Sequence, residues 1–202
     1  MAKRPKPDIT WGPESFGAPF RGPALVCGFG PSLGDDLRAA RGLYPAAPVV
    51  AVNRAIAAVR SRHVFTFHPE MTGKWRGLAK HYWGTEITVH AGYLKGHARA
   101  DADHWWEGLG AFRNSGVGAA VFALTAGHET AILCGVGGQA DGYYVPGAAA
   151  DRTWKGKQGA KNAEQVREMA GRVKASDYGP RVFSMSGVTR EILGNPPGMR
   201  SE

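Results

Sequence analysis

Ala24-Leu25-Val26-Cys27-Gly28-Phe29-Gly30-Pro31-Ser32-Leu33 is the stretch on which the fold turns. Four consecutive apolar residues ending in two glycines suit a short strand buried on both faces, followed by a tight turn. Asp35–Arg41 then reads as the first helix, with Ser32 at its N-cap. The same unit recurs downstream. Val49–Val52 is a second strand ending at Asn53, with a short helix over Ala55–Arg60 after it. Val64–Phe67 is a third, ending at His68-Pro69-Glu70, and Glu86–His90 is a fourth. Gly118–Ala126 is apolar enough for a buried helix and runs straight into a strand at Ala131–Cys134. Asn162–Lys174 carries Val166, Met169, Ala170 and Val173 along one side of an amphipathic helix, and Arg181–Ser186 closes as a last strand. Short apolar strands alternating with helices imply one α/β domain, a mainly parallel sheet with helices on both faces. Val26, Val50, Phe65 and Ile132 are expected to lie buried on adjacent strands.

Composition narrows the class. The chain has 202 residues, 43% of them hydrophobic and 21% charged, which is the balance of a single globular domain. Cys27 and Cys134 both lie in apolar runs and read as buried thiols, so there is no disulfide framework or zinc-ribbon spacing. No apolar window has the length of a membrane span and no apolar signal core opens the chain, so a cytoplasmic protein is expected. Residues 1–22 hold four prolines and the cations Lys3, Arg4 and Lys6, and read as a basic arm. The domain is expected over residues 23–195, with 196–202 as a tail. Residues 137–160 form a Gly- and Ala-rich stretch without a period and read as a long loop or lid. A formal net charge of +8 favours an anionic partner: nucleic acid, anionic lipid or a phosphorylated small molecule.

In a parallel sheet the ligand sits at the carboxyl ends of the strands, near the point where strand order reverses. Five groups are therefore expected to gather on one edge: Gly28–Leu33, Asn53, His68–Glu70, Asn114–Gly116 and the loop starting at Gly135. The turn with Gly28, Gly30 and Ser32 offers a helix start that favours phosphate, and reads equally as a plain tight turn. It lacks the Gly-Lys-Ser/Thr ending of a Walker loop and the third glycine of the dinucleotide fingerprint. Asn53 is placed to bond a base or ribose, or to satisfy a turn. His68 and Glu70 are the acid/base candidates, with His90 in reserve. Asn114, Ser115 and Gly116 open the apolar helix as a cap or as an oxyanion cradle. Tyr143 and Tyr144, with Arg152 and Lys155, supply hydroxyls and cations for a phosphate leaving group. His97, Asp101 and His104 share one face if their segment is helical, but Gly96 and the neighbouring alanines offer no supporting shell for a metal, and no metal site is assigned. Trp83, Trp105 and Trp106 are expected to pack beneath the loop.

Taken in order, these motifs resemble a known layout. Cys27-Gly28-Phe29-Gly30-Pro31-Ser32-Leu33 is similar to the G-x-G-P-S-L opening of bacterial lipooligosaccharide sialyltransferases and of the 6-hydroxymethylpterin pyrophosphokinase-like proteins. Asn53 matches the asparagine after the second strand in the sialyltransferases. Asn114 to Val136 resembles their Ser-Gly start, small-residue helix and apolar strand ending in glycine. Arg181–Leu193 is similar to the final strand of the pterin-kinase-like members. The resemblance covers about residues 23–145 and that last strand. It implies a Rossmann-like fold that binds a nucleotide or nucleotide-sugar, with Gly28, Gly30, Ser32, Asn53 and Ser115 on the nucleotide side and Tyr143 or Tyr144 toward the phosphate. Phe29 and Gly137 depart from the pattern, and no histidine follows His128, so sialyl transfer by the family's mechanism is not expected. The small compact size resembles phage and prophage members. The expected function is a nucleotide- or nucleotide-sugar-dependent transferase, glycosyl or pyrophosphoryl, acting on nucleic acid or a glycan. The alternative is a non-catalytic nucleotide- or nucleic-acid-binding phage protein with a structural or assembly role.

Overall fold

A computed structural model describes residues 22–93, 101–138 and 157–199. Its strands are β1 (Pro23–Cys27), β2 (Val49–Val52), β3 (His63–Thr66), β4 (Thr88–Gly92), β5 (His104–Trp106), β6 (Thr130–Cys134) and β7 (Val182–Ser184). Its α-helices are α1 (Leu33–Leu43), α2 (Thr72–Trp83), α3 (Ser115–Thr125), α4 (Lys157–Lys174) and α5 (Gly187–Leu193). The strands pair into one seven-stranded sheet in the order β5-β4-β3-β2-β1-β6-β7, and every pairing is parallel. The protein is a Rossmann-like α/β domain, as the alternation of apolar runs implies.

Parallel pairing explains why the strands are apolar on both faces, since helices must cover each side. Leu25, Cys27, Ala51, Val64, Val89 and Ile132 point to one layer, shared with Leu33 and Ala40 of α1 and Trp75 and Ala79 of α2. Val26, Val50, Phe65 and Leu133 point to the other, under α3 and the Met169, Ala170 and Val173 stripe of α4. Val26, Val50, Phe65 and Ile132 are all buried, and Val26 lies opposite Val50 in register. Cys27 and Cys134 are free, buried and opposite one another on β1 and β6.

Helix α3 is the central helix, buried along most of its length, so its sequence is apolar all round rather than amphipathic. A side chain at Gly118 would stand 2.5 Å from the Phe67 ring and 2.8 Å from the Phe112 carbonyl. That glycine lets the helix settle against the end of β3.

Several boundaries differ from the sequence reading. The third and fourth strands shift to His63–Thr66 and Thr88–Gly92, and the last shortens to Val182–Ser184. The short helix expected over Ala55–Arg60 is a 3-10 turn over Asn53–Ala57. Helix α4 begins at Lys157, so the last part of the stretch read as loop 137–160 is helical, and residues 139–156 lie outside the described residues. His104 sits on β5 and Asp101 lies in no helix, so these two do not share a helix face, and His97 lies outside the described residues. Trp105 and Trp106 are buried in that same strand, and the Trp83 indole N–H donates to the Ile56 carbonyl at 2.6 Å. At the chain's other end the Tyr44 hydroxyl donates to the Pro197 carbonyl, and Met199 packs on the α1 layer.

Candidate functional site

Because all strands run one way, their carboxyl ends share an edge. Strand order reverses between β1 and β6, so the crevice that receives ligands in open α/β sheets lies between the loops after these two strands. Here those loops are stitched together. Gly28 N–H donates to the Cys134 carbonyl and Gly30 N–H to the Gly135 carbonyl, both at 2.8 Å. A Cβ at Gly28 or at Gly30 would fall 2.6 Å from the Gly135 oxygen. The two glycines are therefore required by the approach of one loop to the other. That contact alone accounts for both glycines, in keeping with the plain tight turn, one of the two readings of this stretch.

Ser32 occupies the N-cap of α1 without a side-chain capping bond. Its hydroxyl lies instead 3.0 Å from Asp36 Oδ2 and 2.9 Å from the Ser186 hydroxyl. Ser186, at the start of α5, donates to the same Oδ2 at 2.7 Å, and Gly135 N–H donates to it at 2.8 Å. Asp36 thus ties the loops after β1, β6 and β7 to one buried carboxylate oxygen. It is 6% exposed and enters no ion pair among the described residues. Burial raises its pKa above the ordinary 3.8 against the lowering effect of the three donors, with neighbouring Asp35 adding to the rise. Neither Asp36 nor Ser186 was singled out by sequence reasoning. An aspartate in a first helical turn is common enough to pass as a dipole partner, and only the fold brings Ser186 across the chain to it.

Asn53 follows β2 directly, with φ at +51°, and it is the one non-glycine residue with positive φ among the described residues. Its Oδ1 is buried and has no hydrogen-bond partner among the described residues. The next residue, Arg54, holds its guanidinium 5.1 Å from the centre of the Phe29 ring, so the β2 end adjoins the glycine turn. Beyond β3, His68 Nδ1 lies 3.3 Å from Glu70 Oε1, with the two side chains 56% and 58% exposed. The His68 backbone N–H donates to Thr66 Oγ1 at 2.8 Å, and the Thr72 hydroxyl to the Pro69 carbonyl at 2.7 Å, which sets the turn. Asn114 caps α3 by accepting from Gly116 N–H and Val117 N–H at 3.1 and 3.2 Å. Ser115 Oγ accepts a long bond, 3.4 Å, from Phe67 N–H and joins the helix start to the β3 end. A Cβ at Gly116 would meet Val136 at 2.5 Å. Gly28–Leu33, Asn53, His68–Glu70 and Asn114–Gly116 lie at the carboxyl edge, as does the start of the fifth group at Gly135–Gly138. Tyr143, Tyr144, Arg152 and Lys155 lie outside the described residues.

The reserve base His90 is corrected. It stands in the middle of β4 at 0% exposure, flanked by the half-buried His63 and His104. Trp106 Nε1–H donates to His90 Nδ1 at 3.4 Å. His90 Nε2 therefore carries the proton and donates to His63 Nδ1 at 3.1 Å. The His104 ring stacks on His90 with centroids 5.1 Å apart, and Phe122 of α3 closes the other side at 4.7 Å. Burial lowers the pKa of His90 well below 6.5, and His63 and His104 add to the lowering. His63 is lowered by burial and then by His128, His104 and Arg62. His90, fully buried within this group, is a packing element rather than a base at the strand end.

Among the described residues no three His, Cys, Asp or Glu side chains are placed to hold a metal ion. No helix among them is long and apolar enough to cross a membrane. Comparison with protein-family models, with curated proteins and with solved structures returns no match.

Proposed function

We propose that the carboxyl edge binds a nucleotide or nucleotide-sugar and that the chain transfers a glycosyl or pyrophosphoryl group from it to an acceptor hydroxyl. The observation that carries this reading is Asn53. A buried carboxamide oxygen without a partner is costly, and so is a left-handed backbone at a residue with a Cβ. Both penalties fall on one residue at the binding edge of a parallel sheet, beside the turn after β1. Strain and unsatisfied polarity concentrated at such a place support a ligand contact. Asn53 Oδ1 would accept a donor from the base or the ribose, and Ser115 and the glycine turn would flank it. His68 would take the acceptor's proton, with Glu70 stabilising the imidazolium that forms. In the phage setting implied by the sequence resemblance, the basic surface of +8 suits a nucleic-acid acceptor.

A thermal-shift panel of nucleotides and nucleotide-sugars tests the reading. A specific ligand at about 100 times its Kd adds about 2.7 kcal/mol of stability, and that gain should vanish in Asn53→Gly. A panel in which no member raises Tm would end the proposal. The more than half-exposed His68–Glu70 pair favours a second reading: nucleotide or nucleic-acid binding without catalysis. Binding without turnover of any nucleotide-sugar, across acceptors, would select it.

A further inference from the structure

The geometry points to Asp36 as the residue that decides which part of a ligand meets the turn after β1: it excludes phosphate there and offers an acceptor for a sugar hydroxyl. This inference rests on the nucleotide reading only for the ligand's identity. The Gly135 N–H, the Ser32 hydroxyl and the Ser186 hydroxyl converge within 3.0 Å of a single point at the switch between β1 and β6. Such a set of backbone and hydroxyl donors at a helix start is how proteins hold phosphate oxygens. In this chain the point is occupied by the protein's own carboxylate oxygen. A ligand phosphate would have to displace Asp36 Oδ2, and would bring a second negative charge beside one that is already desolvated.

The carboxylate is also unevenly used. All three donors fall on Oδ2, and no hydrogen bond among the described residues reaches Oδ1. Asp36 is 6% exposed, and no ion pair among the described residues balances it. A buried carboxylate with one satisfied and one open oxygen recognises a neutral donor, for which a sugar hydroxyl is the match in a nucleotide or nucleotide-sugar. The phosphates of a bound nucleotide then lie off this turn.

Amide chemical shifts of Gly30, Ser32 and Gly135 in the full chain, titrated with inorganic phosphate, test the exclusion. Wild type should show no saturable shift at these amides. Asp36→Ala, with its fold verified by circular dichroism, should acquire one at Gly135, with phosphate affinity raised at least about tenfold. Asp36→Asn keeps an oxygen on the donors and should remain silent. Saturable phosphate shifts at Gly135 in wild type would overturn the proposal, as would a folded Asp36→Ala that stays silent. If Asp36→Ala does not fold, wild type decides through nucleosides and their 2′- and 3′-deoxy forms. Loss of at least about tenfold in affinity on removing one hydroxyl sustains the proposal, and equal binding of all forms overturns it. A chain that binds no nucleoside while Asp36→Ala captures phosphate would sink the nucleotide reading and leave the exclusion standing.

Discussion

Replacing Asn53 by glycine should make the protein more stable and its proposed ligand weaker. Three contributions set the size. Removing a buried oxygen without a partner recovers about 1–3 kcal/mol. Releasing a side chain from φ +51° recovers less than the ~1–2 kcal/mol usual for an L-residue, because asparagine tolerates this region better than most. Against these, glycine adds about 0.5–1 kcal/mol of chain entropy to the unfolded state. The net expectation is a gain of about 2 kcal/mol, worth roughly 4–8 °C in Tm for a chain of this size. Asn53→Ala is the paired control. It also removes the oxygen but keeps a Cβ at positive φ, so it should fall about 1 kcal/mol below the glycine variant. Urea denaturation followed by circular dichroism gives both differences. If Asn53→Gly loses 1 kcal/mol or more, the carboxamide is holding the loop together, and the case for a residue kept at a cost for binding collapses.

Gly30→Ala should cost about 1–3 kcal/mol or prevent folding, since its Cβ would stand 2.6 Å from the Gly135 oxygen; a variant with unchanged stability in denaturant would show that the two loops have room to part. Asp36→Ala leaves Gly135 N–H unpaired while the two serines can still bond each other at 2.9 Å, so a loss of about 2–4 kcal/mol is expected, and Asp36→Asn should come close to wild type. The folded pKa of Asp36 is raised, so the proton is held more tightly in the folded state, and this group's contribution falls as pH rises from 3.8 through the folded value. His90 and His63 have lowered folded values, so the unfolded chain binds more protons and stability should fall as pH drops below 6.5. His90→Gln should flatten that acid limb, and an unchanged pH profile would clear the histidine group of the effect. His68→Ala should leave stability within about 0.5 kcal/mol but lower kcat by roughly 10²–10⁴ with KM little changed; unaltered turnover would remove His68 from the chemistry.

The fold was legible because its strands are short apolar runs whose polar punctuation falls where the backbone leaves the sheet. Val49–Val52 is read to the residue, since Pro48 and Asn53 bound it on both sides. Three elements escaped: the seven-residue helix α5 after the last strand, and helix α2 and strand β5 for opposite reasons. Helix α2 carries Gly73 and Gly77 among its exposed residues, with no neighbouring atom within 4 Å of either Cβ position. Those glycines weaken the helical signal that Trp75 and Ala79 supply from the buried side. Strand β5 is only three residues long, and its histidine and tryptophans suggested chemistry and packing before they suggested a strand. His90 was misplaced because a strand read two residues early puts its middle at its end. A shift of that size keeps each side chain on its face but moves it from the core to the edge.

The glycine turn shows why a site is harder to read than a fold. A tight turn before a helix, with glycine at two positions and serine at the cap, is written the same way whether the space belongs to a ligand or to another loop. The choice is made by residues more than a hundred positions away: Gly135 approaches the turn, and Ser186 joins Ser32 on Asp36. Once these are in place, the Gly28, Gly30 and Gly135 amides and the Ser32 and Ser186 hydroxyls are already bonded within the protein. Among the described residues, Asn53 Oδ1 and Asp36 Oδ1 are two acceptors at this edge that no hydrogen bond reaches. Acceptors of this kind match ligand hydroxyls and amines, so under the proposed reading recognition at this edge would fall on the sugar and base of a nucleotide.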